Sequence, residues 1–362
     1  MSLPLDRVEP ELTRLWEEEA RKSHAARVEI LTLVALVSEP RLRARARAVV
    51  DDAVREHPSR TIVAAWTGGG PPSITAEVAL HRCAGAACGD AITLSAGGEA
   101  REWLPENVER LALPDLPVCM WWVGDLPDFD DLFDRMVVGA DLVVADSGEM
   151  DLRDLEKLSS IVARSHARYA LADLTWMRLR WLHDLVARFF DDEAERACLA
   201  GVQRITIGFS PRDHEQDVAS TTAGLFFGWI ANALRLPLDQ VRWTPGEDWG
   251  EAAIGGAVTR FERRSHSDVR PGAIMRVSIE CAGGRFDIER QDDPQVFRWS
   301  TQVHGAPSPS QLFRVHSPGE SALLVRTLER PARDRLLETS LQVASRIVRP
   351  VAPRLSSPPP RG

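Results

Sequence analysis

The chain has 362 residues, 44% of them hydrophobic and 27% charged, and a formal net charge of −9. That length holds two domains with substantial cores, and the composition is ordinary for a soluble globular protein. The acidic balance excludes a general nucleic-acid binder, which needs a basic face, and no apolar stretch approaches the roughly 18 residues of a membrane span. Residues Met1-Ser2-Leu3-Pro4-Leu5-Asp6 lack the basic and then apolar regions of a secretory signal. Five cysteines, an odd number widely spread, fit a reducing cytoplasm.

Leu5, Val8, Leu12, Leu15 and Trp16 recur at helical spacing and predict an amphipathic helix over residues 5–22. Residues 27–37 form a β-branched apolar run, a strand. A basic helix follows over 40–56, then a strand at 61–66. Thr67 and three glycines precede Pro71-Pro72 rather than a helix, so this segment is a connecting turn and no phosphate loop. Strands at 74–83 and 91–95, joined by a loop at 84–90, form a hairpin, and a helix occupies 101–112.

The most unusual stretch runs from Leu113 to Pro127. Pro117 opens the apolar run Val118–Val123, which ends at Gly124. Six apolar residues between breakers predict a strand buried on both faces, with proline at its first position. Successive strand side chains alternate between faces, so Trp121 and Trp122 point opposite ways, into the core or toward a partner.

A helix then runs to Val138, and a buried strand, Leu142–Ala145, ends in Asp146 and Ser147. Asp151 caps a helix to about Ser165, and Asp173 or Thr175 caps the next. That helix carries Trp176, Leu179, Leu182, Val186 and Phe190 inward. A strand at 202–209 and a long helix at 213–236 complete an α/β pattern. Alternating strands and helices imply a largely parallel sheet whose ligands sit off the carboxyl ends of the strands. Trp121, Trp122, Asp146 and Ser147 fall at such ends.

Short β-patterned runs follow at 254–261, 273–281, 286–289 and 296–301, then helices over 319–348. The expected organisation is an N-terminal helix (1–26), a mostly parallel α/β domain flanked by helices (27–238), a smaller β-rich domain with terminal helices (239–349) and a disordered tail (350–362).

No complete catalytic set emerges. His81-x-Cys83-x4-Cys88 offers three metal ligands where a closed zinc site needs four, so no metal is expected. A Cys83–Cys88 redox pair is the minority reading, and small core or loop residues the default. Ser147 lacks a Gly-x-Ser-x-Gly turn, Asp146-Ser147-Gly148 has no second copy, and no dinucleotide or P-loop signature is present, so no cofactor is expected. This favours a binding or regulatory protein over an enzyme.

Four elements recur in a familiar order: His57-Pro58-Ser59-Arg60; Pro114-Asp115-Leu116-Pro117 leading to Trp121-Trp122; Val144-Ala145-Asp146-Ser147; and Asp173-Leu174-x-Trp176-x-Arg178-Leu179, then Trp181 and Phe189-Phe190-Asp191. Over roughly residues 27–236, and more weakly to 320, the chain resembles the glucose-6-phosphate dehydrogenase assembly protein family, OpcA. It departs from the family pattern at Cys88-Gly89-Asp90 and at Trp181-Leu182-His183. The resemblance implies a non-enzymatic protein that binds the dehydrogenase, aids its assembly and activates it allosterically, feeding the oxidative pentose phosphate pathway and NADPH supply. The expected partner contacts are Trp121, Trp122, Asp146, Ser147, Asp173, Trp176 and Arg178, tryptophan and arginine being frequent anchors. The alternative is a sugar-phosphate-binding enzyme or sensor at the carboxyl edge of the sheet, with Arg60 or Arg178 on the phosphate.

Overall fold

The structure is a computed structural model. It describes residues 2–23, 27–83, 86–124, 126, 131–165, 168–211, 219–237, 241–245, 249–307, 309–329 and 333–348. The expected tail and the first part of the helix expected at 213–236 lie outside these residues.

The chain opens with α1 (Val8–Ser23), β1 (Thr32–Val37), α2 (Arg43–Glu56), β2 (Arg60–Thr67), β3 (Ser73–Cys83), β4 (Ala86–Gly97), α3 (Leu104–Leu111) and β5 (Val118–Val123). Next come α4 (Asp131–Met136), β6 (Leu142–Ala145), α5 (Asp154–Ser165), β7 (Ala170–Asp173), α6 (Leu174–Ala187), α7 (Glu193–Ala197), β8 (Val202–Phe209) and α8 (Thr221–Ala233). Eight strands follow: β9 (Arg242–Pro245), β10 (Trp249–Ile254), β11 (Ala257–Arg263), β12 (Ile274–Cys281), β13 (Gly284–Arg290), β14 (Val296–Val303), β15 (Ala306–Pro307) and β16 (Gln311–Arg314). Helices α9 (Glu320–Leu328) and α10 (Arg335–Val348) close the described chain.

Two compact units result, and each is built from three separate stretches of chain. The first holds residues 1–146, 165–174 and 319–334; the second holds 147–164, 175–318 and 335–362. The expected boundary at 238/239 differs from this division. Strand β8 and helix α8 join the second unit, because β8 pairs with β11 and β12. Helix α9, expected with the β-rich part, belongs to the first unit. So does α1, whose Val8 and Leu12 are fully buried.

The first unit is a seven-stranded sheet in the order β3-β4-β2-β1-β5-β6-β7. All pairs are parallel except the β3–β4 hairpin at the edge. Every residue of β1 is buried, as a central strand covered on both faces requires. Helix α2 supplies part of one cover through Ala46, Val49, Val50, Ala53 and Val54. β4 extends further than the sequence pattern implied, because residues 86–90 continue the ladder with β3 past a bulge at His81/Arg82.

Behind this hairpin lies a buried polar cluster. The Asp90 carboxylate is fully buried and accepts from Trp16 Nε1 at 2.7 Å, from Arg60 Nε at 2.9 Å and from Arg27. Arg60, with a side chain 3% exposed, also donates to Glu9 at 2.6 Å and to the Leu111 carbonyl at 2.7 Å. The Glu29 carboxylate accepts from the Asp90 backbone N–H. Burial, and then the Asp90 charge, push the Glu29 carboxyl upward.

The cysteine default is corrected by the structure: Cys83 and Cys88 form a disulfide across the β3–β4 turn, with Cα atoms 5.6 Å apart. Their sulfurs are therefore spent, which removes the His81-Cys83-Cys88 metal reading. Cys119, Cys198 and Cys281 are free. Alkylation of the denatured, unreduced protein should label these three cysteines, and all five after reduction, as read by intact mass. Because the closed loop is short, the bridge contributes roughly 2 kcal/mol.

The second unit is a nine-stranded, mostly antiparallel sheet in the order β15-β14-β13-β12-β8-β11-β10-β9, with β16 on β14. Only β8–β11 is parallel. One face buries Ile205, Ile207, Val277, Ile279, Phe286 and Ile288. The other carries charges in cross-strand rows, for example Arg298, Glu289 and Arg276 on neighbouring strands. These partly exposed pairs set register more than stability. The residues at 254–261 are a hairpin rather than one strand, turning at Gly255-Gly256 with φ of 56° and 91°.

Helix α8 is apolar nearly all round and correspondingly buried. It packs against α10 through Gly228, where a Cβ would lie 2.2 Å from the Ser340 carbonyl oxygen. Gly228→Val should therefore cost roughly 1–3 kcal/mol by overpacking, seen as a lower urea midpoint.

Candidate functional site

The seven residues expected at a partner contact fall into two groups. In the first unit, Trp121 pairs in register with Val144, and Ala145 with Asp173. Asp146 and Asp173 thus stand at the carboxyl ends of adjacent strands, and Trp122 at the end of β5 beside them. Gly124 ends that strand with φ 91°, and a Cβ there would strike the Leu42 side chain at 2.8 Å. The topology therefore delivers these side chains to one edge, as strand order in an open parallel sheet dictates.

Their accessibility differs from the expectation. Trp121 is 1% exposed, Trp122 2%, Asp146 4% and Asp173 1%. Trp122 packs edge-on to Trp66 at 6.2 Å and against Phe133 at 5.4 Å. Alternation does send the two indoles to opposite faces, but both faces of a parallel sheet are covered, so both are packed away. Asp173 ends β7, and α6 starts at the next residue. Helix α5 begins at Asp154, two residues later than a cap at Asp151 implies.

In the second unit, Ser147 is fully buried at the start of a short 3-10 turn. The neighbouring Gly148 N–H donates to Thr175 Oγ1 at 2.9 Å. Trp176 is 3% exposed and lies in an aromatic cluster around His183. The His183 ring is 4.5 Å from Trp176, 4.4 Å from Trp229 and stacked on Phe226 at 5.6 Å. Burial, helped by the Arg180 charge, depresses His183 to about 3. Of the seven, Arg178 alone is half-exposed; it donates to Thr175 Oγ1 at 3.2 Å.

Arg60, the other arginine considered for a phosphate, is engaged by Asp90 and Glu9 and is buried, so it presents no face to a ligand. Arg178 instead lines a cavity of about 270 Å³ within the second unit, with Arg270, Arg290, Trp181 and Phe297. Sequence reasoning missed that cavity. Its other arginines lie on a loop and a strand about a hundred residues downstream, and no local pattern joins them to α6.

Two family models, both tied to glucose-6-phosphate dehydrogenase, match successive stretches of the chain. Residues 50–160 match a family model described as the glucose-6-phosphate dehydrogenase subunit N-terminal domain, and residues 169–341 one described as its C-terminal domain. The chain belongs to the OpcA family of glucose-6-phosphate dehydrogenase assembly proteins.

A Synechocystis relative named OxPP cycle protein OpcA is 30% identical over 160 residues, 44% of this chain and 30% of its own length. A Nostoc punctiforme relative of the same name is 28% identical over 287 residues, 72% of this chain and 57% of its own. The chain thus spans less than two thirds of either relative. Among solved structures, glucose-6-phosphate 1-dehydrogenase from Mycobacterium avium is similar with a TM-score of 0.52 and 12% identity, covering 91% of this chain and 93% of that one. At that identity the likeness is one of fold. Among the described residues no helix is long and apolar enough to cross a membrane.

Proposed function

We propose that the chain is a non-catalytic assembly factor and allosteric activator of glucose-6-phosphate dehydrogenase, acting in the cytoplasm to support the oxidative pentose phosphate pathway and its NADPH supply. One observation carries this reading: the two matched family models are both described by that dehydrogenase and together take in residues 50–160 and 169–341. An activator must bind the active conformation of its partner more tightly than the inactive one, since only differential affinity shifts populations. In this reading Arg178 meets the partner directly. Trp121, Trp122, Asp146, Ser147, Asp173 and Trp176 act from behind the surface, holding the carboxyl edge and the start of α6 in shape.

The test mixes the purified chain with the dehydrogenase of the same cell. The expected result is a lower substrate KM together with a larger dehydrogenase oligomer by light scattering. An unchanged KM and an unchanged oligomer would refute the proposal.

A further inference from the structure

The cavity in the second unit has a composition that its surroundings do not explain. Three arginines line it, Arg178, Arg270 and Arg290, against the single carboxylate of Asp268. The protein as a whole is acidic, at −9, so this concentration of positive charge is local.

Arg290 is the most telling of the three. Its guanidinium lies 4.4 Å from the centroid of the Phe297 ring and donates to the Ile274 carbonyl at 3.1 Å and to the Pro294 carbonyl. Its Nε is buried with no hydrogen-bond partner, and among the described residues no carboxylate pairs with it. Burial alone pushes it down to about 10. A desolvated cation balanced only by carbonyls and a ring is costly unless an anion reaches it. Arg270 has Glu149 as a partner at a loose 3.6 Å, with its side chain 41% exposed. Arg270 also lines the cavity, so a second guanidinium borders the same space.

Guanidinium groups match the oxygen geometry of phosphate and bind it through paired N–H donors. The remaining wall is aromatic: the Trp181 and Phe297 rings stand 4.5 Å apart at 50°. An indole face beside a cationic end suits a compact ring bearing a phosphate, with apolar C–H edges on the aromatics. The volume, about 270 Å³, matches a sugar-sized molecule rather than a dinucleotide.

We infer that this cavity binds a sugar phosphate monoester, with the phosphate held by Arg178, Arg270 and Arg290 and the sugar against Trp181 and Phe297. The site goes beyond the assembly role; it shares Arg178 with the proposed partner contact, but binding there requires no partner. Binding is therefore measured on the full chain alone, so a failure here and a failure to activate the dehydrogenase are separate results.

The probes are glucose 6-phosphate, glucose and inorganic phosphate, followed by calorimetry and thermal melting. Glucose 6-phosphate should bind saturably and raise the melting temperature, because a ligand stabilises the state it binds. Glucose should give no shift, and inorganic phosphate should bind roughly tenfold more weakly, for want of the aromatic contact. Arg270→Gln, at an exposed side chain, should leave the unliganded melting temperature in place and weaken binding by roughly tenfold. Arg290→Met should weaken it further; if that variant does not fold, Arg270→Gln alone decides. Three results would each overturn the assignment: no saturable binding of glucose 6-phosphate up to about 10 mM, affinity unchanged by Arg270→Gln, or inorganic phosphate binding as tightly as the ester.

Discussion

Asp90→Ala is expected to destabilise the protein by roughly 3–5 kcal/mol. The carboxylate is fully buried and receives Trp16, Arg60 and Arg27 at once. Removing it leaves the Arg60 guanidinium, 3% exposed, with Glu9 as its ion-pair partner among the described residues, and Glu9 is 50% exposed. It also leaves the Trp16 indole N–H without its acceptor. Breaking one partner of a buried pair costs more than the pair itself contributes, because the survivor stays desolvated. The pair Asp90→Leu with Arg60→Met should recover most of the loss. Urea midpoints of the single and double variants measure both. A single-variant loss below about 1 kcal/mol would contradict the cluster's importance.

The second large effect is a dependence on acidity from His183. In the folded chain its imidazole is held to about 3, against an ordinary 6.5, first by burial and then by Arg180. The unfolded chain therefore takes up a proton between those limits that the folded chain refuses. Stability from this group is fully present above about pH 6.5 and falls as the pH drops toward 3. At 1.36 kcal/mol per pKa unit the full loss is about 4–5 kcal/mol, of which about 2 kcal/mol is lost by pH 5. His183→Phe, placed among Trp176, Phe226 and Trp229, removes the titration while keeping a ring in the cluster. The difference in unfolding free energy between His183→Phe and the parent should then widen by about 2 kcal/mol from pH 7 to pH 5. Equal slopes for the two proteins would show that His183 titrates normally.

Much of the fold was legible because its strands are bounded by strong breakers. Pro117 and Gly124 bracket β5, and the alternating run after Pro71-Pro72 is β3. The fold class, a mostly parallel sheet followed by a mostly antiparallel one, follows from the same patterns. What periodicity does not carry is the identity of a strand's neighbour. β8 has the same apolar character as the strands of the first sheet, yet it pairs with β11 and β12, which lie about fifty and seventy residues on. β7 is four residues long and runs straight into α6, so no breaker marks it.

The site was legible only in part. Strand ends put Trp122 and Asp146 at one edge, whereas Asp173, read from the sequence as a helix cap, joins that edge because β7 pairs with β6. Burial there depends on what covers the sheet, which is decided by helices elsewhere in the sequence. Trp176 has the i, i+3 spacing to Leu179 of a core face, and the structure keeps it inside. The arginine cavity needed three-dimensional information, because its members come from α6, the segment before β12 and the end of β13.

The return of α9 to the first unit has a consequence for how the protein is made. That unit's sheet is complete once residue 173 has been synthesised, but its α9 is not encoded until Glu320–Leu328, where Glu320 meets Arg45 of α2 at 2.6 Å. A nascent chain therefore carries an unfinished first unit through the translation of nearly the whole second one. At roughly 5–20 residues per second that is on the order of ten seconds, during which α2 waits on the ribosome for α9 and the Glu320 carboxylate it brings to Arg45.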